Sequence, residues 1–448
     1  MLFPAQSAKS HVAYCLRFTA HLPWLPRKAA RKALMLPEGW TRRPLHEVAD
    51  VRTGVAKGKT GLIDPVELPY LRVANVQDGF IDLNEVKKIT VEQHQIDRYS
   101  LQAGDILMTE GGDFDKLGRG AVWDGTLDPC LHQNHVFAVR AKRELVNPVF
   151  LSALSGSEYG RTYFLSCAKR STNLASINSS QLKAFPVLLP PISEQHRIAH
   201  ILSTWDQAIA TTERLLANAR AQRKVLTNRL FIHGRHSNMT THGWKFADLG
   251  ETFERVTRRN SAANSNVLTI SGTRGLVSQR DYFNKSVASE NLAGYTLIER
   301  GEFAYNKSYS AGYPMGAIKP LTRYDQGVVS SLYICFRLRD GAEADADFFR
   351  HYFEEGMLNE GLSGIAQEGA RNHGLLNVGV GDFFKLRLHI PDVIEQRRIA
   401  AILNMAEQKE RLITAQLGKL RDEKKALMSQ LLTGKRRVRL PADEAAHA

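Results

Sequence analysis

The sequence predicts an α/β (α+β) protein: two similar mixed domains joined by two long antiparallel coiled-coil helices, a pseudo-twofold internal repeat. Three observations predict it. One stretch occurs twice, at 190–231 and 391–432, and a constant offset of 201 carries Glu194 onto Glu395, Ile198 onto Ile399 and Leu230 onto Leu431. Each copy holds a heptad pattern throughout. Each is preceded by short apolar runs broken by turn residues, the pattern of small twisted sheets.

The repeated stretches share E-Q-x-R-I-A-x-I-L, as EQHRIA at 194–199 and EQRRIA at 395–400. Steps of four and three run through Ile198, Leu202, Trp205, Ile209, Thr212, Leu216, Ala219, Arg223, Leu226 and Leu230. The second copy keeps the frame through Ile399, Leu403, Ala406, Glu410, Ile413, Leu417, Leu420, Lys424, Leu427 and Leu431. Each copy therefore reads as a helix of roughly 40 residues, about 60 Å long at ~1.5 Å per residue. Prolines before each copy suit the starts, and Gly234 and Gly434 suit the stops.

Charge selects the orientation. In a parallel, in-register pair the seam cations Arg223 and Lys424 would share one layer, which is unfavourable. In an antiparallel pair Ile198 meets Leu431, Arg223 comes beside Glu407, and Lys424 comes beside Asp206. Since each helix starts at the end of its own domain, the two domains are expected at opposite ends of a rod, about 50 Å apart.

The expected organisation is a weakly ordered basic extension at 1–35, a domain at 36–189, a helix at 190–235, a second domain at 236–390, a helix at 391–434, and a basic then polar tail at 435–448. The first 35 residues contain no acid and six basic residues, Lys9, Arg17, Arg27, Lys28, Arg31 and Lys32. They lack a clean apolar core with a cleavage site, so a signal peptide is not expected. Met35 reads as an alternative start, and trimming to about that position is expected. Both domains open on Gly-Trp (Gly39-Trp40, Gly243-Trp244), carry a GD-I or GE-F turn (Gly104-Asp105, Gly301-Glu302), and close on an apolar strand, FPVLLP or KLRLHIP.

A net charge of +14 points to a polyanionic partner, nucleic acid first. Cys15, Cys130, Cys167 and Cys335 show no C-x-x-C spacing, so no zinc ribbon or disulfide framework is expected and a reducing cytoplasm fits. No apolar run approaches the ~20 residues of a membrane span.

Catalytic patterns fail on spacing. GVAKGKT at 54–60 is one residue short of a phosphate-cradling P-loop and is followed by Pro65 and Pro69 in place of a helix; contact with DNA phosphate fits it better. His196 and His200 stand four apart on the first helix without a third ligand. Asp392 and the Asp422-Glu423-Lys424 group imitate a nuclease pattern but lie far apart along one rod. Asn147-Pro148-Val149-Phe150 lacks the second proline of an amino-methyltransferase motif. No catalytic, cofactor-binding or metal site is expected in this chain.

Basic and amide side chains on loops give the candidates for DNA contact, because phosphate anchoring and base reading use such groups. In the first half they are Arg52, Lys57, Lys59, Arg72, Asn75, Lys116, Arg119, Lys169, Arg170 and Asn173, with HQNH at 132–135 nearby in kind. In the second half they are Arg258, Arg259, Arg274, Lys307, Tyr309, Arg371, Asn372 and His373. The segments AKRSTN (168–173) and GARNHG (369–374) hold corresponding places.

Two variable domains, each followed by an E-Q-x-R-I-A-x-I-L helix, resemble the specificity subunit of type I restriction-modification systems over about residues 36–440. The resemblance implies that each domain is a target recognition domain reading one half of a bipartite, asymmetric site in double-stranded DNA. It implies that the helices set the spacing and dock two methyltransferase subunits, which bring S-adenosylmethionine and adenine-N6 methylation. Cleavage is then expected in a restriction/translocase subunit using ATP and Mg. The alternatives are a stand-alone tandem-domain DNA-binding or regulatory protein, and a coiled-coil scaffold without DNA affinity.

Overall fold

Each domain is built on one four-stranded antiparallel sheet, and the two sheets have the same strand order. In the first, Ala49–Thr53, Val136–Ala141, Ile106–Thr109 and Gly120–Val122 lie side by side in that order. In the second, Phe253–Arg255, Ile334–Leu338, Phe303–Asn306 and Ala317–Pro320 do the same. The computed structural model describes residues 36–58, 60–112, 117–170, 175–233, 243–261, 263–283, 292–368, 374 and 376–438. The basic extension at 1–35, with its expected trimming site at Met35, and Gly234 lie outside these.

The repeat extends to single hydrogen bonds. Asp105 and Glu302, of the GD-I and GE-F turns, are both buried, and each carboxylate accepts the backbone N–H three residues earlier, Gln102 at 2.9 Å and Glu299 at 2.8 Å. Gly104 and Gly301 precede them at φ of 98° and 90°, a conformation that glycine adopts without cost. Arg140 pairs with Asp105 at 2.7 Å, and Arg258 pairs with Glu302. Arg258, expected on a DNA-facing loop, is thus held by a buried carboxylate of its own domain.

Each domain's closing strand pairs with its opening one, Thr41–Pro44 with Pro186–Leu189 and Lys245–Asp248 with Arg387–Ile390. Asn147 caps the helix Pro148–Gly156 by accepting from Val149 and Phe150, and Asp345 caps Ala346–Glu354 by accepting from Phe348. The Asn147-Pro148-Val149-Phe150 motif is a helix start, with proline at the position where its missing N–H is harmless.

The long helices span Ile192–Thr227, continued by a π-helical segment Asn228–His233, and Val393–Leu431. The π segment is a departure from the unbroken α-helix expected, and places Leu230 on wider, i→i+5 turns. Gly434, at φ 70°, ends the second helix; a Cβ there would lie 2.4 Å from Pro37 Cγ.

Contacts divide the chain into one unit of Met1–Thr212 with Gln416–Ala448 and another of Glu213–Ala415. Each unit therefore holds one domain, the start of that domain's helix, and the end of the other helix. Within the first unit Ile198 and Leu202 share a core with Leu431, Leu432 and the domain's Val187, Leu188 and Leu189. Within the second, Ile399 and Leu403 share a core with Phe231, Leu226 and Leu230. Start meets end in both, so the pairing is antiparallel. All predicted seam residues are buried or half-buried: Ile198, Leu202, Trp205, Ile209, Leu216, Leu226, Leu230, Ile399, Leu403, Ile413, Leu417, Leu420, Leu427 and Leu431.

Lys424 pairs with Asp206 as expected. Arg223 does not meet Glu407. Its Nε donates to Glu410 at 2.8 Å and its Nη1 to Glu355 at 3.2 Å, while Glu407 accepts from Arg350 at 2.9 Å. Arg350 belongs to the helix Ala346–Glu354, an element whose position the seam pattern does not encode.

The E-Q-x-R-I-A motif has a structural reason. Gln195 accepts from the Asn147 N–H and donates to Pro190 O and Leu145 O; Gln396 accepts from the Asp345 N–H and donates to Pro391 O. Each glutamine fastens its helix to the backbone in front of its own domain's capped helix. Ile198, Ala199, Ile399 and Ala400 of the same motif are buried beneath it. Glu194, 1% exposed, accepts both guanidinium arms of Arg437 at 2.8 Å and Trp40 Nε1 at 3.2 Å, tying Gly-Trp and the chain's far end to the motif.

Candidate nucleic-acid interface

In the first unit, backbone hydrogen bonds knit four loops together. The Val55 N–H, in GVAKGKT, donates to His132 O at 2.8 Å, and Asn134 donates back to Val55 O at 3.0 Å. The close approach requires glycine at 54, where a Cβ would lie 2.0 Å from His132 O. Glu110 donates to His135 O at 3.0 Å, joining HQNH to the loop that carries Arg119, and His135 Nδ1 lies 2.6 Å from the Glu110 carboxylate. Gly111–Gly112 then pairs with Ala175–Ser176, which pairs with Lys169–Arg170. Lys57, Arg119, Lys169 and Arg170 are thus carried on one connected set of loops.

The second unit has a counterpart. Tyr309 donates its N–H to Gly374 O at 2.7 Å, and Leu376 donates to Lys307 O at 2.8 Å. These bonds join the Lys307–Tyr309 loop to the strand pair Gln367–Glu368 and Leu376–Asn377, which flank GARNHG in the sequence. Tyr313, in the same loop, donates to Gly272 O at 3.0 Å beside Arg274, and buried Lys319 donates to that oxygen and to Tyr313 Oη, while pairing with Glu354. Arg274, Lys307 and Tyr309 are therefore brought together, with Tyr309 and Arg274 exposed.

Other predicted residues fall elsewhere. Asn75 is 3% exposed: its carbonyl accepts from the Arg72 N–H and its amide donates to Asp82 O and Glu85 O, so it shapes its own turn and offers no edge to a base. Arg72 begins that turn and pairs with Glu85 at 3.4 Å. Arg52 is half-buried in a sheet strand opposite Ala138. Arg259 is exposed but bridges to Thr296, away from the joined loops. Lys59, Lys116, Asn173, Arg371, Asn372 and His373 lie outside the described residues.

His132 is 1% exposed and its Nδ1 lies 2.7 Å from Val136 O; burial lowers its pKa to about 4, so the ring is neutral and structural. Burial pushes the Cys130 and Cys335 thiols up to about 12, which leaves neither as a thiolate at neutral pH. His196 and His200 are exposed. Among the described residues, no group of three or more His, Cys, Asp or Glu is placed to hold a metal ion, and no helix is long and apolar enough to cross a membrane.

Sequence reasoning missed Lys87 and Lys88. They open the strand Lys87–Glu92, which pairs with Pro65–Leu71 beside the GVAKGKT loop. Their signal was a lysine pair directly before an alternating strand pattern, KKITVE.

Residues 37–220 match the family model described as "Type I restriction modification DNA specificity domain". A protein of Methanocaldococcus jannaschii assigned as the MjaX type I restriction enzyme specificity subunit is 28% identical over 223 residues, 49% of this chain and 52% of that protein. The EcoKI type I restriction enzyme specificity subunit of Escherichia coli (strain K12) is 26% identical over 200 residues, 44% of this chain and 41% of the relative. The chain thus spans about half the length of the curated relatives it matches. A solved chain from work on complex assembly and conformational transition of the type I R-M system is alike in fold, with a TM-score of 0.54, 19% identity, and coverage of 89% of this chain and 98% of that one. Residues 37–220 of this chain are thus similar to a type I restriction modification DNA specificity domain, and about half of the chain is similar to specificity subunits of type I restriction enzymes.

Proposed function

We propose that this chain is the sequence-reading, non-catalytic subunit of a type I restriction-modification assembly. The joined loops of the first unit read one half of a bipartite, asymmetric site in double-stranded DNA, and the joined loops of the second read the other half. The paired helices set the spacing and dock two methyltransferase subunits. In that assembly S-adenosylmethionine and adenine-N6 methylation belong to the methyltransferase subunits, ATP, Mg and cleavage to restriction subunits, and the site of action is the cytoplasm.

The observation that carries this reading is the duplicated arrangement itself: each unit pairs an E-Q-x-R-I-A helix start with a set of basic loops knit together by backbone hydrogen bonds. Phosphate anchoring needs cations, and base reading needs side chains held in register; such loops supply both.

The test is to map methylated adenines in cells carrying this chain with its methyltransferase. One two-part motif is expected. Exchange of residues 236–390 for those of another specificity chain is expected to alter one part only, and one added helical turn in the first long helix to lengthen the gap. Scattered methylation, or a change in both parts on the exchange, overturns the reading.

A further inference from the structure

Beside the joined loops of the first unit lies a cleft of about 370 Å³. Among the described residues Lys57 from GVAKGKT and Lys87 and Lys88 from the neighbouring strand line it and no acid does; Lys87 stands on the Tyr70 face of the strand pair, and Lys88, next along the strand, on the other. Its wall is apolar and firm, with Val55, Tyr70 and Val91 all buried. Lys57 Nζ stands 5.7 Å from the centroid of the Tyr70 ring, a cation held at the mouth over an aromatic face. Val55 lines this cleft and also bonds to His132 and Asn134, so the cleft opens on the GVAKGKT side of the joined loops. A cleft of the second unit, by contrast, is lined by Arg300 and Arg323 together with Glu299 and Asp325, and Arg300 is already paired with Asp325 at 2.8 Å.

We propose that the Lys57–Lys87 cleft binds backbone phosphate of duplex DNA, as a sequence-independent clamp on the first unit. The inference rests on the DNA-reading function above and adds to it a site that holds DNA without selecting its sequence. The chemistry fits phosphate: lysine presents a compact ammonium with donors that rotate to meet an oxyanion, and lacks the fixed fork that arginine brings to a guanine edge. Lys87 pairs with Glu85 at 3.5 Å, an exposed pair of small worth, so a phosphate displaces that carboxylate readily, while Lys88 pairs with Glu67 at 3.3 Å on the opposite face.

The test measures binding of the full chain, with its methyltransferase partner, to the target duplex and to a scrambled duplex over a range of salt. The double variant Lys57→Ala, Lys87→Ala is expected to lose affinity for both duplexes by the same factor. Its log–log salt slope becomes shallower by about 0.9 for each phosphate contact removed. Lys→Arg at both restores most of the affinity, and Glu85→Gln raises it. An unchanged slope overturns the clamp, as does a loss confined to the target duplex, which would make the cleft a base reader. If the unaltered complex does not discriminate target from scrambled duplex, the function above fails instead, whatever the slopes.

Discussion

Arg223 Nε donates to Glu410 Oε1 at 2.8 Å, one helical turn beyond Glu407. Both residues are seam positions of their helices, and both face inward enough to be only partly exposed, at 33% and 15% of the side chain. The pair is a polar layer in a seam whose other polar positions are Thr212 and Lys424. A double-mutant cycle on Arg223 and Glu410 is expected to show a coupling of about 1 kcal/mol in urea unfolding, with Arg223→Glu and Glu410→Arg recovering part of what either loses alone. The same cycle on Arg223 and Glu407 is expected to be smaller, because Arg350 holds Glu407 and its charge acts on Arg223 only from beyond ion-pair distance.

Removing Arg437 leaves the buried Glu194 carboxylate with Trp40 Nε1 as its remaining side-chain donor. Arg437→Ala is expected to cost about 2 kcal/mol, since an under-satisfied buried charge costs more than the pair contributes. Pairing it with Glu194→Gln should return part of the loss. Thermal unfolding of the four proteins checks this, and equal losses in the single and double variants would count against it.

Gly54→Ala places a methyl group 2.0 Å from His132 O and 2.6 Å from Gln133 O. The backbone must yield, at about 1–3 kcal/mol for an overpacked site. Hydrogen exchange at the Val55 amide, bonded to His132 O, is expected to accelerate while amides of the Val136–Ala141 strand keep their protection.

His132 gives a pH dependence of defined sign. Its folded pKa, near 4, lies below the ordinary value of 6.5, so the folded protein resists a proton that the unfolded chain accepts. Its contribution is complete above about pH 6.5 and is lost as pH falls from there towards 4, on the order of 3 kcal/mol in all. Urea unfolding across this window should be flatter for His132→Gln than for the unaltered chain.

Arg274→Ala is expected to relax one half of the DNA motif and leave the other unchanged. If the guanidinium meets a guanine edge, the lost discrimination is about 1–3 kcal/mol. Methylation mapping with the variant reads it directly.

Much of the scaffold was legible because it is periodic. The steps of four and three put seven apolar seam residues on one face of each helix, and burial follows from that spacing alone. The repeated Gly-Asp and Gly-Glu turns were legible because glycine at positive φ followed by an acid is a local device. The DNA candidates were less so. Asn75 and Arg72 have the right side chains for reading DNA, but their hydrogen-bond partners, Asp82 and Glu85, make them turn residues. Arg258 was unreadable for the same reason, since its partner Glu302 lies 44 residues away.

The sequence by itself determined the duplication, the helices and their antiparallel sense, because these depend on spacing and charge along the chain. Tertiary structure decided which cations are left for a partner. It joined Lys57 to Lys87 across a strand pair, gathered Arg274 and Tyr309 onto adjoining loops, and turned Arg223 from Glu407 to Glu410. A charged side chain is claimed by whichever opposite charge or carbonyl the fold brings within about 3 Å, and that neighbour is seldom near in sequence.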